Sequence, residues 1–135
     1  MVRAVCSFLR EREYEIDRVV ESNQERGHDI IATSKTSRAR IFVECKGETS
    51  SREGSGRYGS KFDAGQRTDH VGKALVKALQ VLSNQSVTNQ AGIGLPLNHQ
   101  SLIDTMSGAL QKTGIVVFLV SPDKKVTVYL GTLLK

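Results

Sequence analysis

Tryptophan is absent from the 135 residues, and cysteine and proline occur only twice each. The two cysteines, Cys6 and Cys45, stand in no CxxC spacing and in no Cys/His cluster, which excludes a disulfide framework and a cysteine-rich zinc site. Both are expected as reduced core residues. No run approaches the roughly 18–20 uninterrupted apolar residues of a membrane span, and the first residues lack the apolar stretch of a signal peptide. The expected location is the cytoplasm. Hydrophobic residues at 39% and charged residues at 24% supply one compact core and exclude wholesale disorder or a collagen-like chain. The length matches one domain, residues 1–135, on the usual scale of roughly 100–200 residues per domain.

What the chain has in excess is positive charge, +5 from 19 Lys and Arg against 14 Asp and Glu, and it is concentrated. Residues 1–31 carry five basic and seven acidic residues, residues 32–79 carry ten and five, and residues 80–135 carry four and two. A central basic excess points to a polyanion such as nucleic acid, or to a solvated surface with a positive bias.

Val2, Val5, Cys6 and Leu9 recur at helical spacing within residues 2–12, predicting a short amphipathic helix over one face of a sheet. Residues 14–20 show the partial alternation and β-branching of a strand, and the polar stretch from Glu21 to Gly27 reads as a turn. Two further β-rich runs, Asp29 to Thr33 and Arg40 to Lys46, are joined by a connector of hairpin length. The three strands predict an antiparallel meander. Residues 47–65, rich in Gly and Ser, read as a mobile loop. A helix from His70 to Leu82, capped by Thr68 or Asp69, places Val71, Ala74, Leu75, Ala78, Leu79 and Leu82 on one stripe and Lys73 and Lys77 on another. Gln90 to Leu95 reads as a strand broken by Pro96, Ser101 to Lys112 as a helix ended by Gly114, Ile115 to Val120 as a buried strand, and Val126 to Leu130 as a closing strand. His99 and Asp104 read as surface and cap residues, and Leu95-Pro96-Leu97 as structural.

Within Ile41-Phe42-Val43-Glu44-Cys45-Lys46 the two-residue period of a strand sends Phe42, Glu44 and Lys46 to one side and Ile41, Val43 and Cys45 to the other. A hairpin with the preceding strand brings Asp29 near the level of Glu44. The two carboxylates and the backbone carbonyl of Cys45 then offer hard oxygen donors suited to Mg²⁺ or Mn²⁺. A metal held there lowers the pKa of a bound water and stabilises charge on an attacked phosphate, while Lys46 orients that water or neutralises the phosphate. The same residues also suit an inter-strand salt bridge of Asp29 or Glu44 with Lys46.

The helix, the Tyr14-Glu15-Ile16 strand, Gly27-His28-Asp29-Ile30-Ile31-Ala32 and Phe42-Val43-Glu44-Cys45-Lys46-Gly47 follow in an order that resembles the PD-(D/E)xK nuclease superfamily, including Holliday-junction resolvases and type IV restriction nucleases. The resemblance runs over Phe8 to Lys77. It implies an α/β, restriction-endonuclease-like fold: a central mixed β-sheet, an antiparallel meander plus later strands, flanked by helices. It implies a Mg²⁺-dependent DNA endonuclease, with Asp29 and Glu44 as metal ligands and Lys46 as the motif lysine. His28 stands where the superfamily name has Pro. Residues 2–10 hold no acidic residue to match the first-helix Glu of some members; Glu11, Glu13 and Glu15 are the nearest substitutes, so one metal is expected. Gln66, His70 and Lys73 are candidates for second-layer or phosphate contacts. Arg52, Arg57 and Lys61, with Tyr58, are candidates for wrapping a duplex, or belong to a plain surface insertion. The partner implied is DNA, with a homodimer if both strands are cut. The alternatives are a catalytically inactive nuclease-fold nucleic-acid-binding or accessory module, and a protein-interaction domain in which Asp29, Glu44 and Lys46 form a salt-bridge network.

Overall fold

A computed structural model describes residues 1–20, 27–47, 64–84 and 88–134. All of the predicted turn at residues 21–27 except Gly27, and nearly all of the predicted loop at residues 47–65, with Arg52, Arg57, Tyr58 and Lys61, lie outside the described residues.

The chain order is α1 (Val2–Glu11), β1 (Tyr14–Val19), β2 (Ile30–Ser34), β3 (Arg40–Cys45), α2 (Ala64–Asn84), β4 (Asn89–Pro96), a 3₁₀ turn (Leu97–His99), α3 (Gln100–Asp104), α4 (Ser107–Thr113), β5 (Val116–Val120) and β6 (Val126–Leu130). The strands form one six-stranded sheet in sequential order. β1, β2 and β3 pair antiparallel, β3, β4 and β5 pair parallel, and β6 returns antiparallel to β5. The two parallel crossovers step in the same direction, so the right-handed rule puts their helices on one face of the sheet.

Two apolar clusters show the layering. Val5, Cys6, Phe8 and Leu9 of α1 pack with Ile30, Ala32, Ile41, Val43, Val116, Phe118 and Val120 on one face. Val71, Ala74, Ala78 and Val81 of α2 pack with Phe42, Ala91, Ile93, Leu95, Ile103, Leu110, Val117 and Leu119 on the other. β5 is buried on both faces, the state its unbroken apolar run encodes.

The glycines of β4 belong to the α1 face, while Ala91, Ile93 and Leu95 take the α2 face. A Cβ at Gly92 would meet Phe118, Val43 and Ile41 at 3.0, 3.2 and 3.3 Å, and all three are fully buried. Gly92→Val is therefore expected to destabilise the fold by about 1–3 kcal/mol through overpacking, seen as a lower urea midpoint with an unchanged slope.

Several boundaries differ from the sequence expectation. α2 starts at Ala64, so Thr68 and Asp69 are helical residues rather than caps, and the Thr68 hydroxyl donates back to the Ala64 carbonyl at 3.0 Å. Gly65 lies inside a 21-residue helix whose apolar stripe outweighs its local cost. Pro96 does not break β4. It is the last paired residue, opposite Val120, where its missing N–H is tolerated. The single helix predicted at residues 101–112 is two short helices, α3 and α4, parted at Thr105–Met106, where the Thr105 hydroxyl bonds to the Leu102 carbonyl. Gly114 ends α4 in the left-handed conformation, φ 76°.

Candidate metal and nucleic-acid site

The site is assembled where β2 enters and β3 leaves the sheet. Ile30 pairs with Val43, so Asp29, one step earlier, comes level with Glu44. Alternation along β3 puts Val43 in the α1 cluster and Phe42 in the α2 cluster, which assigns Glu44 to the α2 side. The backbone N–H of Cys45 donates to Asp29 Oδ2 at 2.8 Å and holds that carboxylate against the end of β3. The Lys46 N–H donates to the Gly94 carbonyl at 2.9 Å, continuing the parallel ladder one residue past the strand. Lys46 Nζ then lies 3.1 Å from Glu44 Oε1.

A second lysine arrives from α2. Lys77 Nζ donates to the same Glu44 Oε1 at 3.0 Å. Sequence periodicity sets Lys77 on a polar stripe with Lys73 but does not place it in the site. The available signal is the spacing of His70, Lys73 and Lys77, one residue before the buried positions Val71, Ala74 and Ala78, which sets them along one border of the apolar stripe.

Glu44 is only 4% exposed. Its Oε1 receives both ammonium groups, while Oε2 is buried with no hydrogen-bond partner among the described residues. A buried carboxylate oxygen left this way costs about 1–3 kcal/mol, and it is the kind of hard lone-pair donor a small divalent cation takes up. Burial pushes the Asp29 carboxyl above its ordinary range; the Cys45 amide draws it down, and the charge of Glu44 adds to the rise. Burial lowers the pKa of His28 against the opposing pull of Glu44, and its ring meets the Phe42 ring edge-on at 5.4 Å. Burial, with the charges of Asp29 and Glu44, also pushes the Cys45 thiol well up, so Cys45 is a neutral half-buried side chain against the α1 cluster.

A raised carboxyl pKa stabilises the fold only below the unfolded-state value; above it, ionisation works against folding, and this persists through neutral pH. Asp29→Asn keeps an oxygen for the Cys45 N–H and removes the charge. Its melting temperature is expected to exceed that of the wild type at pH 7, with the gain vanishing by pH 3, below the ordinary carboxyl value of 3.8. Equal melting temperatures at both pH values would count against a strained Asp29.

The other candidates divide. His70 is half-buried and close enough to Lys46 and Lys73 for their charges to add to the lowering of its pKa by burial. Gln66 is half-buried in the first turns of α2, and Lys73 is exposed. Glu13 and Glu15 lie near the start of β1, whereas its far end, Val19, pairs with Ile30 beside Asp29; neither reaches the site. Glu11 ends α1 near the same remote edge. Among the described residues, no group of three His, Cys, Asp or Glu is placed to hold a metal ion. His99 is not a surface residue. It is the last residue of the 3₁₀ turn and is fully buried, its Nδ1 2.6 Å from Asn98 Oδ1. Asp104 does not cap a helix start; it is the last residue of α3 and accepts a hydrogen bond from the Tyr129 hydroxyl. Cys6 and Cys45 form no disulfide, and no described helix is long and apolar enough to cross a membrane.

No protein-family model and no curated protein matches the sequence. Among solved structures, an XisH family protein from Nostoc punctiforme superposes with a TM-score of 0.56 over 93% of this chain and 94% of that one, at 13% identity. The chain shares that protein's fold. SfsA from Pyrococcus furiosus, solved in complex with Ca²⁺, aligns with a TM-score of 0.44 at 14% identity, over 97% of this chain and 61% of SfsA. The architecture is α/β, a central mixed six-stranded sheet with a leading antiparallel meander and helices on both faces.

Proposed function

We propose that the chain is a metal-dependent DNA nuclease of PD-(D/E)xK type that hydrolyses phosphodiester bonds. The observation that carries this reading is the buried Glu44, with one oxygen unpartnered and the other shared by Lys46 and Lys77, level with a second carboxylate whose pKa is raised. A carboxyl group whose pKa is raised, set beside a buried carboxylate and two lysines at a strand end, is the arrangement by which functional sites are recognised.

Asp29, Glu44 and the Cys45 carbonyl are the oxygen donors that would hold Mg²⁺, with Mn²⁺ as a substitute. When bound, such a cation supplies Lewis acidity and makes a water acidic enough to attack at neutral pH. Lys46, anchored by its backbone bond to Gly94, orients the attacking water and offsets charge developing on the phosphate. Lys77, its side chain 42% exposed, is long enough to reach a phosphate from the α2 side. Cutting both strands of a duplex requires a second site, which a homodimer supplies; a monomer by light scattering on DNA would exclude that arrangement.

A second reading, an inactive nucleic-acid-binding module, is favoured by the lack of a third His, Cys, Asp or Glu ligand among the described residues. Supercoiled plasmid, linear duplex, four-way junction and single strand, each offered with Mg²⁺, Mn²⁺ or EDTA, separate the two. Metal-dependent cutting that Lys46→Ala loses supports the nuclease; binding without cutting supports the module.

A further inference from the structure

On the sheet face opposite Glu44, a groove of about 1160 Å³ runs between α1 and the β5–β6 turn. Its lining is amphipathic: apolar side chains such as Val2, Phe8 and Val126 alternate with Arg3, Arg12, Lys124 and Lys125, against the one carboxylate of Glu11. That carboxylate already lies 3.9 Å from the Arg12 guanidinium. Arg12 also sits 3.4 Å over the Phe8 ring, so the far end of the groove is a stacked arginine. The positions of Arg3 and Arg12, nine residues apart on α1 and its C-terminal cap, correspond to about 13.5 Å along a helix axis.

Two features tie this groove to the site. β3, β4 and β5 run parallel, so the turn after Val120 emerges at the sheet end where Cys45 and Lys46 emerge. Met1 lines the groove together with Lys124 and packs on the same apolar cluster as Cys45. The turn is also built to present its lysines. Ser121 ties it with backbone bonds to Lys124 and Lys125, and its hydroxyl holds the Asp123 carboxylate within the turn. Lys124 has φ 70°, as Glu13 and Arg38 have φ 64°, a left-handed conformation that glycine adopts at lower cost than a residue with a Cβ.

We propose that this groove binds the phosphate backbone of a nucleic acid beyond the point of cleavage, through Lys124, Lys125, Arg3 and Arg12. The identity of the polyanion rests on the nuclease reading; the cationic groove at the site's end of the sheet stands on its own geometry.

The test is Lys124→Gly/Lys125→Ser in the full chain, measured by fluorescence anisotropy with a labelled duplex in EDTA over a salt series. Glycine suits φ 70°, so the variant is expected to melt no lower than the wild type. Its duplex affinity at low salt is expected to fall about tenfold, and the slope of log Kd against log salt to drop by about 2, at about 0.9 for each phosphate that the variant no longer neutralises. A slope and affinity equal to the wild type would overturn the proposal, as would a wild-type chain with no salt-dependent duplex binding. Poly-glutamate binding as tightly as the duplex, and abolished in the same variant, would overturn it in favour of an acidic protein partner. Because the readout is binding without metal, absence of cleavage alone would refute the nuclease reading and leave the groove standing.

Discussion

Lys46→Ala is expected to lower metal-dependent DNA cleavage by at least about a hundredfold, the scale on which removing a charge-stabilising group from an acyl or phosphoryl site acts. The loss should fall on kcat, because Lys46 would act on charge that develops during the reaction rather than on the resting backbone contacts. The fold should survive, since Glu44 Oε1 keeps its bond from Lys77 at 3.0 Å and the Lys46 backbone bond to Gly94 does not involve the side chain. Single-turnover plasmid nicking, with circular dichroism of the same sample, checks both halves. A variant that folds and cuts at the wild-type rate would remove Lys46 from the chemistry.

A carboxylate one residue away has the opposite fate. Val43→Asp is expected to cost more than about 4 kcal/mol or to give insoluble protein, because it places an unpaired charge in the apolar interior. Val43 is fully buried, pairs with Ile30 on β2 and Gly92 on β4, and lies in the cluster beneath α1. Glu44 is nearly as buried but faces α2, where Lys46 and Lys77 meet it. Urea unfolding followed by circular dichroism measures the difference, with Val43→Ala as the control for lost volume alone. A folded, cooperative Val43→Asp would mean that this face of β3 admits water.

The contrast between residues 43 and 44 is legible without coordinates, because the two-residue period of a strand sorts Phe42 and Glu44 from Ile41 and Val43 without knowledge of the partners. The level of Asp29 with Glu44 is legible for the same reason, given a hairpin of ordinary length between β2 and β3. Helix limits are harder. Gly65 reads as loop because propensity is local, whereas α2 is held by Val71, Ala74, Ala78 and Val81 packing on β4. His99 reads as surface because Asn98-His99-Gln100 is a polar stretch that carries no sign of what will cover it, yet its side chain is completely buried.

Periodicities of 2 and 3.6 and short connections are enough to read the order of the six strands, the side of β3 that carries charge, and the level of Asp29 with Glu44. Packing brings Lys77, 33 positions after Glu44, to the same oxygen as Lys46, and sets Lys124 and Lys125 in one groove with Arg3 and Arg12. Local pattern sets which way a side chain points. Which distant side chain it meets depends on how a 21-residue helix crosses the sheet and on which strand end a turn emerges from.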